Sequence, residues 1–372
     1  MPKSRKEIIK EIKKFKWKKD PYKKQNWGSS FHSISSYVGR IKPAFAHWII
    51  KSSSNKNDLI LDPFCGVGTV LLESDLLNRK SIGIDLNPYA NKICLAKIDR
   101  KGLQEELDYL SSINFTYKVN TKKVPQFVKE FYHSKTLKEI LELRKKFIKD
   151  KKDFLFGCLL GICHGHRPQH LSMRTGYIIP YIPKPKPEII YKNSIKKLKE
   201  KVTRMYKDEI KKKTNIKVLN KDILNTTLNK NLVDLIISSP PYYNTIDYVH
   251  ANRLRLWFSG VEFDKQKILS KQLIQDRYSY EKKMKQVGIK LFKTLKNNGL
   301  LIFVLGDVHF SKKNTVNTAS VIEKIYNQIG FKKIALINDE IPAAKTTIVK
   351  FKGQVAIDKK KKKFERILIM SK

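Results

Sequence analysis

Two segments of the sequence carry residue types that could act on a weakly nucleophilic amine. Ser239-Pro240-Pro241-Tyr242 combines a hydroxyl group, two prolines and an aromatic ring. The prolines stiffen the turn and remove N–H donors, so the Ser239 side chain and the Pro240 carbonyl remain as acceptors for the amine hydrogens. Tyr242 could stack on a base extruded from its helix. Alone, this tetrapeptide would be read as an ordinary turn, and its position after an apolar strand gives it weight.

The second segment, Asp62-Pro63-Phe64-Cys65-Gly66-Val67-Gly68-Thr69, lies between a predicted strand and a predicted helix. That order points backbone N–H groups at a ligand, and the two glycines allow a close approach. The next predicted strand ends at Asp85, where a carboxylate can accept hydrogen bonds from ribose hydroxyls. Residue 71 is Leu rather than the third glycine of a dinucleotide fingerprint, and Asp62 would repel a pyrophosphate. A cationic nucleoside fits the segment better.

The two segments together resemble the motifs of the S-adenosylmethionine-dependent amino-methyltransferases of nucleic acids, in particular the cytosine-N4 DNA methyltransferases. The specific part of the resemblance covers about residues 31–99 and 215–310. It implies S-adenosylmethionine as the cofactor and DNA as the substrate. The residues that it implies for cofactor binding are Asp62, Pro63, Phe64, Gly66, Gly68, Thr69, Asp85 and Asp222. The residues that it implies for catalysis are Ser239, Pro240, Pro241 and Tyr242.

Several alternatives remain open at this stage. In the family, Ser at the first position of the catalytic motif favours cytosine N4, whereas Asp or Asn favours adenine N6. Enzymes that methylate guanine N2 in tRNA usually have Asp there, which makes an RNA substrate the wider alternative. A non-catalytic nucleic-acid-binding module is disfavoured because both motifs are intact. Cytosine-C5 chemistry needs a nucleophilic Cys, usually after Pro, and the sequence has no Pro-Cys pair.

The charge balance indicates a polyanionic partner. Lys and Arg number 77 against 34 Asp and Glu, a formal net charge of +43. Each basic side chain that displaces a counterion from a phosphate backbone adds affinity, so nucleic acid is the preferred partner. An acidic membrane surface is the weaker alternative, and a Lys-rich composition without any polyanionic partner is another.

The pattern of apolar runs predicts an α/β fold. Strand and helix patterns alternate from residue 58 to about 98 and again from about 217, while residues 101–213 interrupt them with basic helices. With the resemblance, this predicts a Rossmann-like doubly wound sheet of class I methyltransferases with an inserted helical, basic subdomain. The predicted division is a basic arm at 1–30, a catalytic domain at 31–100 and 214–372, and an insertion at 101–213 with a candidate role in target recognition.

Two features of the predicted insertion indicate more specific structure. Apolar residues from Ile190 to Ile210 predict one long amphipathic helix. The Pro- and Gly-containing segment from His164 to Pro187 mixes His, Arg, Gln and Ser, which suits contacts with bases and phosphates, and an ordered structural loop is an equal alternative.

The cysteine and histidine pattern predicts no metal site. The spacing of Cys158, Cys163, His164, His166 and His170 matches no common zinc site. We therefore expect the cysteines to be buried core residues, and a reducing compartment for the protein. No apolar stretch follows the basic N-terminus, and the apolar runs are too short to cross a bilayer. These observations predict a cytoplasmic protein without a membrane partner. The resemblance leaves a cognate restriction endonuclease open.

Overall fold

A computed structural model describes residues 3–17, 19–24, 27–37, 39–175, 179–208, 215–241, 247–276, 278–309, 315–341 and 363–372. Tyr242, the last residue of the predicted catalytic motif, lies outside these ranges.

The described residues form a seven-stranded, mostly parallel sheet. In chain order the strands are β1 (Leu59–Asp62), β2 (Lys80–Ile84), β3 (Ile216–Leu219), β4 (Val233–Ser238), β5 (Leu295–Gly306), β6 (Lys332–Ile341) and β7 (Lys363–Ser371). Their spatial order is β3-β2-β1-β4-β5-β7-β6. Strands β1 to β5 are parallel, and β7 runs antiparallel to both of its neighbours. The predicted Rossmann-like, doubly wound α/β fold is confirmed.

The helices lie on both faces of the sheet and within the insertion. In chain order they are α1 (Arg5–Lys14), α2 (Pro43–Ser53), α3 (Thr69–Leu76), α4 (Pro88–Ile98), α5 (Leu103–Ser111), α6 (Gln126–Lys129), α7 (Ser134–Lys149), α8 (Asp153–Cys163), α9 (Ser194–Met205), α10 (Tyr248–Ala251), α11 (Arg253–Phe258), α12 (Phe263–Gln272), α13 (Tyr280–Thr294) and α14 (Thr318–Ile329). No helix within the described ranges is long and apolar enough to cross a membrane.

The two faces of the sheet are covered by different helices. Successive strand residues point to opposite faces, so neighbours such as Ile60 and Leu61 enter different cores. Ile60 packs in a cluster with the apolar residues of α1 and α2. Leu61 packs in a cluster with those of α13 and α14. Because both faces are covered, the central strands are apolar almost throughout, which is why the sequence predicted them.

The segment predicted as a basic arm contains α1, and one face of this helix is buried. Ile8 and Ile12 pack into the core beneath α2. Beyond the helix, the Trp17 indole Nε1 donates a 2.7 Å hydrogen bond to Asp339 Oδ2 on β6. The lysines of α1 occupy the opposite, exposed face. The division of the chain at residue 30 stays a prediction.

The residues of the predicted insertion pack against α4 of the sheet half through α8. All residues from Phe154 to Cys163 are buried. A Cβ atom added at Gly157 would lie 2.2 Å from Ala96 Cβ, so this glycine lets α8 approach α4 closely. The prediction of one helix over residues 190–210 was too long. The helix begins at Ser194 because the Asn193 side chain caps its N-terminus, and it ends at Met205; Ile210 lies outside the described residues.

Candidate active site

A cavity at the carboxyl edge of the sheet contains residues from both predicted motifs. The ends of β1, β2, β3 and β4 meet there because these strands are parallel neighbours. Its lining includes Asp62, Pro63, Phe64, Gly66 and Thr69 from the first motif, Asp85 and Asp222 from strand ends, and Ser239 and Pro241 from the second motif. Gly68 and Pro240 are not among the lining residues.

The loop after β1 has its shape because of its two glycines. Gly66 and Gly68 have positive φ angles of 48° and 70°, which residues with a Cβ rarely adopt. Gly68 is the N-cap residue of α3, and a Cβ atom there would lie 2.8 Å from Cys94 Sγ. Gly68 therefore lets the loop pack against Cys94 on the side away from the cavity, while the backbone of Gly66 lines the cavity.

Asp85 connects the second strand to this loop. Its Oδ2 accepts a 2.8 Å hydrogen bond from the Gly66 N–H, and its Oδ1 accepts one of 2.8 Å from the Asn87 N–H. Burial raises the pKa of Asp85 to about 6, although the two N–H groups act in the opposite direction. The carboxylate therefore fixes the loop that surrounds it as well as facing the cavity.

Asp62 connects the first motif to the strand that leads into the second. Its Oδ1 accepts a 2.6 Å hydrogen bond from Ser238 Oγ and one of 3.2 Å from the Phe64 N–H. Burial raises the pKa of this carboxyl group to about 7. Ser238 is the last residue of β4 and precedes Ser239. The first motif is thus joined by a direct side-chain contact to the residue that precedes the second motif, which sequence reasoning did not predict.

Asp222 lies at the same edge, beyond the end of β3. It caps a short 3₁₀ helix, Ile223–Asn225, where its Oδ1 accepts a 2.9 Å hydrogen bond from the Leu224 N–H. The neighbouring Lys221 also lines the cavity. The position of Asp222 relative to Asp85 follows from the pairing of β2 with β3.

Ser239 lies between two cavities. A smaller cavity on the side of β5, β6 and β7 shares Arg40, Ile41 and Ser239 with the larger one. It is also lined by Lys42, Phe45, Val304, Asp339, Glu365 and Ile367. A reacting group in the smaller cavity and a ligand in the larger cavity would therefore meet at Ser239.

Some residues around the larger cavity had only a weak signal in the sequence. Tyr37 was not among the residues that the resemblance implied, and its ring stacks on that of Tyr248 with centroids 6.1 Å apart. The sequence did not indicate a role for Lys97, and its only unusual feature is a charged side chain on an otherwise apolar face of α4. Its Nζ donates to the Val67 carbonyl beneath the loop, and burial lowers its pKa to about 7.

Within the described part of the chain, no group of three or more His, Cys, Asp or Glu side chains has the arrangement of a metal site. Cys158 and Cys163 are buried free thiols in α8, as expected for core residues.

Comparison with known proteins finds a similarity over the part of the chain that holds the first motif. Residues 2–96 match the family model of N6/N4 methyltransferases described as DNA methylase. Over these residues the chain is similar to the N6/N4 DNA methyltransferases. The matched range includes the first motif and Asp85 but not Ser239, so the catalytic motif remains a prediction.

Two curated relatives are type II methyltransferases. M.MjaII of Methanocaldococcus jannaschii is 29% identical over 118 residues, which are 32% of this chain and 21% of the relative. M.BsoBI of Geobacillus stearothermophilus is 24% identical over 323 residues, with 75% of this chain and 62% of the relative covered. The chain thus spans about a fifth of the first relative and less than two thirds of the second.

Among solved structures, a SAM-dependent methyltransferase of Methanosarcina mazei has 11% identity and a TM-score of 0.36, with 87% of this chain and 96% of that chain covered.

Proposed function

We propose that this protein transfers a methyl group from S-adenosylmethionine to the exocyclic N4 amine of cytosine in duplex DNA. The observation that carries the proposal is the shared cavity, in which the loop after β1 and the motif after β4 face the same space. The hydrogen bond from Ser238 to Asp62 adds to it, because it fixes the spacing of the two motifs. The match to the DNA methylase family and the type II methyltransferase relatives support the same chemistry.

The lining of the larger cavity suits this cofactor. Carboxyl groups of Asp62, Asp85 and Asp222 face it, and they would repel a phosphate-bearing ligand. S-adenosylmethionine has no phosphate and carries an ammonium and a sulfonium group. We assign Asp62 and Gly66 to its methionine end, with Gly68 holding the loop behind them. We assign Asp85 to the ribose hydroxyls and Asp222 to the adenine amine. When bound, the cofactor supplies an electrophilic methyl group.

The catalytic work falls to the residues after β4. The lone pair of an exocyclic amine is delocalised into the base, so the amine must be oriented and its hydrogens accepted. Ser239 Oγ and the Pro240 carbonyl are the proposed acceptors, and the prolines keep the turn rigid. Holding the two reactants in line contributes about 7–11 kcal/mol in favourable systems. We propose that the base enters through the smaller cavity, beside Phe45, and that Tyr242 stacks on it.

Target recognition is proposed for the insertion, in particular for the segment from His164 to Pro187. Two arginines of α11, which follows the catalytic motif, hold this segment. Arg255 Nη2 donates a 2.6 Å hydrogen bond to the His164 carbonyl, and Arg253 Nη2 donates one of 2.5 Å to the Pro180 carbonyl. The side chains of His166, Arg167, Arg174, Lys184 and Lys186 are exposed. Such side chains suit phosphate and base-edge contacts, and their attachment to α11 would align them with the target base.

The proposed reaction is tested by measuring the transfer of a radiolabelled methyl group from S-adenosylmethionine to duplex DNA, with tRNA as the alternative substrate. We expect label in DNA and none in tRNA. Label only in tRNA would move the substrate to RNA, and no label in either would favour the nucleic-acid-binding module. A Ser239→Ala variant run in parallel should retain cofactor and DNA binding but lose transfer.

A further inference from the structure

We propose that Glu73 is a positioning residue for one wall of the cofactor cavity. The wall consists of Tyr37, Gly39, Arg40 and Ile41. Glu73 does not line the cavity, but its carboxylate holds the two segments between which the wall is suspended. The inference rests on the proposed function, because it assigns the cavity to S-adenosylmethionine.

The carboxylate of Glu73 binds one histidine from each side of the wall. Glu73 lies on α3 and is 1% exposed. Its Oε1 is 2.6 Å from His32 Nε2, on the 3₁₀ helix Ser30–Ser33 before the wall. Its Oε2 is 2.8 Å from His47 Nδ1, on α2 after the wall. One buried side chain therefore fixes both ends of the connecting segment.

The protonation states agree with this arrangement. Burial acts to raise the pKa of Glu73, but the hydrogen bonds from His32 and His47 outweigh it and hold the pKa below its ordinary value. Burial lowers the pKa of His32 to about 4, which leaves a neutral imidazole at physiological pH. An ionised carboxylate only accepts hydrogen bonds, so each imidazole donates to it.

The wall depends on such contacts because regular structure does not hold it. Between the 3₁₀ helix and α2, the described residues contain no helix or strand. Arg40, which lines the cavity, donates a hydrogen bond from its guanidinium to the carbonyl of His32. The wall is thus connected through the His32 backbone and imidazole to Glu73. The Trp27 ring lies edge-on to the ring of His47, with centroids 5.3 Å apart.

The same helix provides a matched control. Asp75 is also buried on α3, at 2% exposure, and its carboxylate pairs with Arg100. Residues two positions apart on a helix face different directions, and neither Asp75 nor Arg100 lines the cavity. Loss of the Asp75 carboxylate therefore removes a buried acceptor on the same helix without releasing the wall.

The test compares Glu73→Gln with Asp75→Asn by calorimetric titration of the folded proteins with S-adenosylmethionine. Glu73→Gln should weaken binding about 10-fold, and the KM for the cofactor should rise by a similar factor with little change in kcat, because the catalytic motif is untouched. Asp75→Asn should lower the unfolding temperature but bind the cofactor with wild-type affinity. Wild-type affinity for S-adenosylmethionine in Glu73→Gln, or the same loss of affinity in both variants, would overturn the inference.

A second variant keeps the test decisive if Glu73→Gln does not fold. His47→Ala removes one of the two hydrogen bonds at a side chain that is 25% exposed, so folding should be retained. It should weaken cofactor binding about threefold, and wild-type affinity would contradict the inference. Failure of the proposed function gives a different result, since the unaltered protein would then show no binding of S-adenosylmethionine.

Discussion

The half that carries the sheet and the predicted insertion both bury polar side chains, but they use them differently. In the sheet half, Asp62 and Asp85 lie at or directly after the ends of parallel strands and accept hydrogen bonds from the loop after β1. In the predicted insertion, buried polar groups connect segments to each other. Glu139 on α7 accepts a 2.8 Å hydrogen bond from the Ser194 N–H at the start of α9, and the His164 carbonyl accepts one from Arg255 of α11, outside the insertion.

The difference shows how position in the fold determines what a polar group can do. A carboxylate after a parallel strand reaches a cavity because neighbouring strands end at the same edge. A polar group between helices has another helix or a loop carbonyl as its partner, so it stabilises and orients the segment. Changes at strand ends should therefore alter chemistry or cofactor affinity, while changes in the insertion should alter stability and DNA contact.

The largest effect should come from Ser239→Ala at the end of β4. We expect kcat for methyl transfer to fall about 100-fold or more, since an acceptor for the amine hydrogens is removed. The dissociation constant for S-adenosylmethionine should stay within about twofold of the wild-type value, because the carboxylates are unchanged. Steady-state kinetics and calorimetry measure the two quantities. Ser320→Ala, at an exposed site on α14, is the control. If kcat and the affinity for S-adenosylmethionine fell together, Ser239 would support the shape of the cavity rather than the reaction.

The next effect should come from Asp85→Ala, which leaves the Gly66 and Asn87 N–H groups without their acceptor. We expect cofactor affinity to fall about 10- to 100-fold, since hydrogen bonds to a charged group contribute about 1.5–3 kcal/mol. The matched control is Asp234→Ala. Asp234 accepts a 2.9 Å hydrogen bond from the Leu59 N–H near the starts of β1 and β4, at the opposite edge of the same sheet. If Asp85→Ala and Asp234→Ala bound the cofactor equally well, the two edges of the sheet would not differ in their role in cofactor binding.

A stability effect is expected from Arg255→Met, at the contact between α11 and the predicted insertion. Removal of the guanidinium leaves the buried His164 carbonyl without this donor, and the free energy of unfolding should fall by about 1–3 kcal/mol. Cofactor affinity should be retained, while DNA affinity should decrease as the recognition segment loses its attachment. Denaturant unfolding and DNA-binding titrations test this. If Arg255→Met lost cofactor affinity but bound DNA normally, the assignment of DNA contact to the insertion and of cofactor binding to the sheet half would be contradicted.

The smallest effect concerns pH. Burial raises the pKa of Asp62 to about 7 and that of Asp85 to about 6, above the ordinary value of 3.8. The unfolded chain releases these protons earlier, so the stability contributed by the protonated carboxyl groups is present below about pH 4 and declines until about pH 7. A cationic ligand favours the ionised carboxylates, so cofactor affinity should rise between about pH 5 and 7. Asp62→Asn should flatten the affinity profile, and an unchanged profile would exclude Asp62 as its source.

The sequence predicted the elements of the sheet half well because their signals are local. The continuous apolar strands and the proline and glycine residues at turns identify most of these elements. It also indicated Asp62, Asp85 and Ser239 as residues of one site. Lys97 and Glu73 were missed because their partners, Val67, His32 and His47, are brought close only by the packing of α2, α3 and α4. Within the insertion, the start of α9 depends on Asn193, which the apolar periodicity does not reveal.

Nucleoside mass spectrometry of duplex DNA incubated with the protein and S-adenosylmethionine tests the central claim most directly. The account predicts N4-methylcytosine, absent from the product of Ser239→Ala. N6-methyladenine would preserve the amine chemistry and overturn the base assignment. C5-methylcytosine, or no methylated base, would contradict the account.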